Sequence, residues 1–480
     1  MPTGILSASL VASSPNYLEH NCMASYLGVA KFPVHGNPSC KKIKKYISVW
    51  VNMEMLKPRL FFVDNLRTFT IILVFLQHMA ITYGGSGLWY YKEGQLAPPE
   101  SYVSLAFTCI CKAFFMGLLF LLAGYFTPSS YDRKGPGQFT LDRLTRLWLP
   151  VGVFVFLIDP FMQYTLISAG VLPSPTGLPM TTQDFLGLFT NPLNGLGFGP
   201  LWFIEALFYF TLIYVVWRLL AKSPTKPHPI PRNLIIALLA VALGGVTFLV
   251  RIWLPLGYVL NPFGFQLPFF PQYIAFFIVG MLVFRGNWLL NMPTKTGRLW
   301  LRVALFLLVV WLVALASAVA AGTVGSFFGG FNWQTAFFAF WEQAFAVSVA
   351  IGLTWWFREK ANFQNRFMKF LSDNSYAAFI LQAPILVGLA LGLAAVDMPI
   401  VLKFFAVTPV GVALCFFIAY LVRKVPGVKR ALLVRWVDAQ NHPCRKCSIS
   451  MSCSVGILTA SVPLRPVFSR RCSCRPGTLH

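Results

Sequence analysis

Ten apolar runs, most of them near twenty residues long, decide what this chain can fold into. They lie at about 68–84, 103–126, 147–170, 201–221, 233–254, 267–284, 299–321, 333–356, 376–396 and 401–422. About 20 helical residues cross the hydrocarbon core of a bilayer, so each run is long enough to span it. Strands of a membrane barrel would be shorter and would alternate polar with apolar positions, which these runs do not. Gly and Pro recur inside them, at Gly124, Pro160, Gly244, Gly245, Pro268, Pro271 and Pro384 among others. Membrane helices tolerate this. The predicted fold class is an all-α integral membrane protein, a polytopic bundle of about ten transmembrane helices. Composition agrees, with 57% apolar and 11% charged residues over 480 positions, far from the balance of a soluble domain.

The net charge of +24 would suggest nucleic acid in a soluble protein. Here topology accounts for it, because cytoplasmic loops of multispan proteins collect Lys and Arg. One set of connections holds Arg133, Lys134, Arg143 and Arg146, then Arg218, Lys222, Lys226 and Arg232, then Arg285, Lys295, Arg298 and Arg302, then Arg358, Lys360, Arg366 and Lys369. The alternate connections hold almost none, and residues 171–200 and 322–332 contain neither Lys nor Arg. The alternation predicts both termini on the cytoplasmic side and no nucleic-acid partner.

Residues 1–58 read as a basic, disordered N-terminal tail without the long apolar core of a signal peptide. Residues 59–430 form the membrane domain, and 431–480 read as a Ser/Arg/Cys-rich disordered tail. None of the ten cysteines falls in a loop assigned to the outside, so no disulfide framework is expected. Cys444 and Cys447 have CxxC spacing, but the remaining cysteines complete no familiar zinc pattern, and no metal site is expected. No internal repeat of the transporter kind is visible. The loop 171–200, rich in Pro, Gly and Thr, could cover an external opening.

Chemistry concentrates in the first span. The stretch from Asp64 to Gly85 (DNLRTFTIILVFLQHMAITYGG) carries Arg67 at its start and His78 deep within. Ionisable groups inside a span are costly and mark functional sites. Eleven residues separate the two, roughly 1100° of helical rotation, so they differ by about 20° around the axis and about 16 Å along it. They share one face. Imidazole suits general-base work, since its pKa lies near working pH. At the cytoplasmic end of the third span, Arg143 and Arg146 are three apart and share a face. With Arg67 on the same membrane side, three guanidiniums could clamp phosphates. The alternative is ordinary positive-inside flanking. Three carboxylates lie inside spans, Asp159, Glu205 and Glu342. Glu205 is near the depth of His78 and could hold the imidazole in its useful tautomer. Asp159 competes for that role, and Asp64 is kept as a supporting residue. Lys112, within the second span, could instead neutralise one of these acids. No Gly-rich phosphate loop, metal-ligating His cluster or nucleophilic Ser in a strained turn stands out.

These residues carry a resemblance. The chain resembles membrane acyltransferase family 3, through Arg67-x10-His78 within DNLR…QHMAITYG, FFMGLLFLLAGYFTPSSYDRKG, DRLTRLWLP, GPLWFIEALFYF and SDNSYAAFILQAP. The pieces span about residues 60–425. The DNLR and AITYG variants are similar to the branch that includes glucan biosynthesis protein C, a glucan succinyltransferase. The resemblance implies a ten-helix core, with His78 as the catalytic histidine, Arg67, Arg143 and Arg146 for acyl-donor binding, and Glu205 at the family's acidic position. Where many members carry a His in the ninth span, this chain has Gln382.

The implied activity is integral-membrane O-acylation, moving an acetyl or succinyl group from cytoplasmic acyl-coenzyme A to a hydroxyl of a carbohydrate or other acceptor on the outer or lumenal side. The expected partners are acyl-coenzyme A as co-substrate, that acceptor and the lipid bilayer, with no bound cofactor. His78 would deprotonate the acceptor or form an acyl-histidine. The other readings are a secondary transporter with His78 as proton relay, and an inactive relative kept for binding. The setting is a multi-pass protein of the plasma membrane or an endomembrane.

Overall fold

The computed structural model describes residues 59–173, 186–187, 198–221, 228–261 and 263–425. Both expected tails, and most of the 171–200 loop, lie outside these residues. Every long element within them is helical. In chain order they are α1 (Phe61–Thr82), α2 (Glu100–Arg143), α3 (Leu149–Val153), α4 (Asp159–Ser168), α5 (Trp202–Leu220) and α6 (Asn233–Trp253), then α7 (Phe270–Arg285), α8 (Trp288–Asn291), α9 (Thr294–Ala320), α10 (Trp333–Lys360), α11 (Arg366–Gly392) and α12 (Ile400–Val422). Among the described residues, nine helical stretches are long and apolar enough to cross a membrane. The second and third apolar runs share one of them, Glu100–Ser168. The chain breaks within it at Gly135, whose φ of 73° and ψ of 170° are not helical. Only a residue without Cβ adopts such a φ readily, so the stretch comprises two legs.

Side chains at the helix ends show which ends meet. Asn65 at the start of α1 donates to the carbonyls of Ala361 and Phe363, just past α10. Arg423, after α12, donates to Asn374 early in α11. Asp132, in α2 just before the break at Gly135, accepts Arg218 at the end of α5 and Arg285 at the end of α7. The Lys- and Arg-bearing connections therefore gather at one end of the bundle. At the other end Lys403, in the first turn of α12, pairs with Glu93 of the 83–99 connection and donates to the Val396 carbonyl.

Close approach between α2 and α7 depends on two glycines. A Cβ on Gly124 would lie 2.1 Å from the Phe277 carbonyl oxygen, and one on Gly280 would lie 2.1 Å from that of Leu121. Small residues let membrane helices pack backbone to backbone, where lipid supplies no hydrophobic drive between them. α1, the second run and α10 are the most enclosed elements, while α6 and α9 turn most of their apolar surface outward. In a bilayer those outward Leu, Val and Phe side chains face lipid.

One polar network crosses this interior. Arg251 of α6 and Glu342 of α10 are joined at 2.5 Å, and both are fully buried. Gln343 donates to Glu342, and Gln272 of α7 donates both to Gln343 and to the Ala113 carbonyl of α2. Four helices are tied through it. Glu342, one of the three carboxylates found within spans, is thereby accounted for as one half of an internal ion pair.

Candidate active site

His78 stands one turn before the end of α1 and faces a cavity of about 440 Å³. Its Nδ1 is 3.0 Å from Oε1 of Gln382 on α11. The amide oxygen can only accept, so Nδ1 carries the proton and Nε2 keeps its lone pair. The indole of Trp89 stacks on the imidazole, with ring centroids 3.8 Å apart and planes 13° from parallel. One ring face and one ring nitrogen are thus fixed, and the remaining nitrogen is the one available as a base. Gln382 is a positioning residue in this arrangement. Replacing it with Leu should lower kcat about tenfold with little change in KM, the worth of one orienting hydrogen bond. Steady-state kinetics of Gln382→Leu check this, and an unchanged kcat would remove the role.

Trp89 sits on the connection between α1 and α2, and that connection is pinned at several points. Glu93 N–H donates to the Thr82 carbonyl at 2.8 Å, and its carboxylate meets Lys403. Tyr90 donates to Asp159 Oδ1 at 2.9 Å, and Gln163, one turn further along α4, donates to Oδ2 at 3.2 Å. Burial, with the Asp159 carboxylate beside it, holds the Tyr90 hydroxyl well above the usual phenol range, so it remains a donor. The Gly199-Pro200-Leu201-Trp202 segment lies against this ring. A Cβ on Gly199 would fall 1.9 Å from the Tyr90 hydroxyl, and Gly199 has φ +49°. Glycine at 199 thus makes room for the tyrosine.

The expected pairing of Glu205 with His78 is not made. Glu205 lies in the first turn of α5, fully buried, and its Oε1 accepts from Tyr209 one turn along the same helix at 3.2 Å. The amide of Gln382 occupies the position expected of the acid. Asp159 does not reach the imidazole either, and acts on the site through Tyr90 and Gln163. Lys112 lines the cavity itself. Among the described residues it forms no ion pair, and Glu342 is paired with Arg251.

The arginines sit at the basic end, around the first turns of α11. Arg67 Nη2 donates to the Ser372 carbonyl at 3.1 Å and lies 3.5 Å from Asp64 Oδ1, while Arg59 meets Oδ2 of the same carboxylate at 2.8 Å. Asp64 therefore supports Arg67 from one turn below it. Tyr376, one turn above Ser372, donates to the backbone carbonyl of Arg146 at 2.5 Å. Pro150 explains why that carbonyl is open: it stands four residues on and has no N–H to donate. Here the helix widens into an i→i+5 turn over Leu144–Trp148, a local form often found at functional sites. Arg143 lies over the Phe139 ring at 4.6 Å from its centroid, and its Nε is buried without a hydrogen-bond partner. None of the three guanidiniums lines the His78 cavity. Arg67 and His78 do engage one neighbouring helix, at Ser372 and Gln382, so α1 and α11 run side by side in the same direction from the basic end to the cavity.

Sequence reasoning did not assign Trp89 or Tyr90, which sit in a loop with no periodic signal. It registered Gln382 only as a departure from a family pattern. Lys112 carried a usable signal, a lone cation in the middle of an apolar run. Among the described residues no group of three His, Cys, Asp or Glu side chains could hold a metal ion, and Cys109, Cys111 and Cys415 are buried free thiols.

Comparison with known proteins places these features in a family. The model of the acyltransferase domain that defines membrane acyltransferase family 3 matches residues 60–422. No curated protein and no solved structure matches the chain. The match takes in α1 with its histidine, the arginines at the basic end and the glutamine on α11, and ends at the last residue of α12. The chain belongs to membrane acyltransferase family 3 and is an integral, multi-pass membrane acyltransferase.

Proposed function

We propose that the protein is an O-acyltransferase that takes an acetyl or succinyl group from cytoplasmic acyl-coenzyme A and passes it to a hydroxyl of a carbohydrate, such as a glucan, on the outer or lumenal side. The observation that carries this reading is the oriented imidazole of His78, held by Gln382 and Trp89 at the wall of a cavity. Its free Nε2 is a general base for a hydroxyl. The arginine-rich end, where Arg67, Arg143 and Arg146 surround the start of α11, supplies the chemistry that phosphates of a nucleotide donor require. The alternation of basic connections supports a cytoplasmic position for that end. Arg67 and His78 lie about 16 Å apart along α1. The donor's nucleotide would stay at the basic end while its thioester reaches the imidazole. Glu205, which accepts from Tyr209 on α5, is assigned a supporting part.

Purified protein should transfer label from acetyl- or succinyl-coenzyme A to a carbohydrate hydroxyl, identified by mass spectrometry of the product. Substrate movement across vesicles without bond formation would defeat the reading. Arg143→Ala should raise the donor KM about tenfold or more while kcat changes little, since a charged hydrogen bond is worth about 1.5–3 kcal/mol. An unchanged donor KM would leave Arg143 with a topological role only.

A further inference from the structure

Among the described residues twenty-two line the His78 cavity, and Lys112 is the one Lys, Arg, Asp or Glu side chain among them. Among the described residues it makes no hydrogen bond and no ion pair. Glu342, a buried acid on α10, gives its Oε2 to both Arg251 and Gln343. Lys112 and His78 line the wall of the same cavity. Apart from His78, the other polar groups on the wall are uncharged, among them the amides of Gln77, Gln163, Asn261 and Gln266 and the hydroxyls of Tyr90 and Tyr273. An ammonium held without a counter-ion inside a membrane protein is costly. Groups aimed at a place where charge appears only during reaction have this character, because they are least satisfied in the ground state and best satisfied at the transition state.

We propose that Lys112 is a second catalytic residue, the electrophilic partner of His78, whose ammonium receives the oxyanion formed on the acyl carbonyl. This rests on the acyl-transfer reading above. In the step, His78 Nε2 takes the proton of the acceptor hydroxyl as its oxygen bonds to the thioester carbonyl carbon. The carbonyl π pair moves onto oxygen, where Lys112 Nζ donates a hydrogen bond to the resulting anion. Collapse restores the carbonyl, breaks the carbon–sulfur bond and expels the thiolate, which takes the proton back from His78. The products are an ester and a thiol, with no net change of charge on either side chain. The neutral amides around it cannot supply a full positive charge at that oxygen.

Three variants test this: Lys112→Met, Lys112→Gln and Lys112→Arg. The Met and Gln variants should lose about 100- to 1,000-fold in kcat, the usual cost of removing an oxyanion donor, with donor and acceptor KM within about threefold. Lys112→Met should melt at the wild-type temperature or above it, because an uncompensated charge has been removed from the interior. Lys112→Arg, which keeps the charge, should retain more activity than either. A kcat within threefold of wild type in Lys112→Met would overturn the proposal and leave the acyl-transfer reading intact. So would an effect confined to the KM of donors whose acyl group bears a free carboxylate, which would make Lys112 a binding group for that carboxylate. Failure of the Met and Gln variants to accumulate would show a structural role and likewise overturn it. Absence of transfer by the wild-type protein would instead remove the thioester reading, and this proposal with it.

Discussion

His78→Ala should leave the protein folded and inserted while lowering acyl transfer by about 100-fold or more. General-base catalysis contributes about 10²- to 10⁴-fold when the base is correctly placed, and His78 is placed by two independent contacts, the Gln382 amide at 3.0 Å and the Trp89 ring at 3.8 Å. Alanine removes the proton acceptor without leaving a buried charge. Its cost to folding is the loss of one stacking contact and one hydrogen bond. The variant should therefore be extracted and purified like the wild type. Transfer from labelled acyl-coenzyme A, measured on equal amounts of purified protein, is the decisive assay. A rate close to wild type would take His78 out of the mechanism. A burst of labelled protein that His78→Ala abolishes would instead favour an acyl-histidine over direct transfer.

The largest stability effect is expected from the ion pair between α6 and α10. Arg251→Met strands the Glu342 carboxylate, which is 1% exposed, with only Gln343 to satisfy it. Breaking a buried pair from one side costs about 3–5 kcal/mol, because the surviving charge has lost its counter-ion. The wild-type guanidinium also lies over the rings of Phe269 and Phe338, at 5.2 and 5.4 Å from their centroids, and those cation–π contacts vanish with it. Phe269 lines the His78 cavity, so the damage should reach activity as well. The double variant Arg251→Met/Glu342→Met removes both charges and should recover most of the lost stability. Thermal unfolding in detergent compares the three proteins. Should the single variant melt like the wild type, or the double variant melt no higher than the single, the pair would not be what ties α6 to α10.

Much of the fold was legible because it is a matter of length and hydropathy. The ten apolar runs occupy the long helices, and the alternation of basic connections is matched by contacts that draw those connections to one end, as at Asp132 with Arg218 and Arg285. The division of one helical stretch by Gly135 was not foreseen, since a glycine in a polar turn announces a bend but not that helix continues on both sides of it. At the site, His78 and Arg67 stood out because ionisable groups are rare in spans, and their shared helix face followed from spacing alone. The partner of His78 did not. Glu205 had the right depth and the right chemistry, yet its carboxylate accepts from Tyr209, one turn along its own helix. Gln382 differs from the family's usual residue, and in this chain its amide completes the site.

By itself the sequence determined that this chain spans a membrane many times, which ends collect positive charge, and which few ionisable side chains must be housed inside. These are local properties, set by the cost of exposing backbone and charge to hydrocarbon. Only the tertiary structure decided the pairings: Gln382 rather than Glu205 on the imidazole, Arg251 rather than Lys112 on Glu342, Trp89 over the ring, and Lys112 left facing the cavity. Such choices depend on how each helix is rotated and displaced against its neighbours. In lipid that rotation is fixed by close packing, as at Gly124 and Gly280, and no single helix carries it in its own sequence.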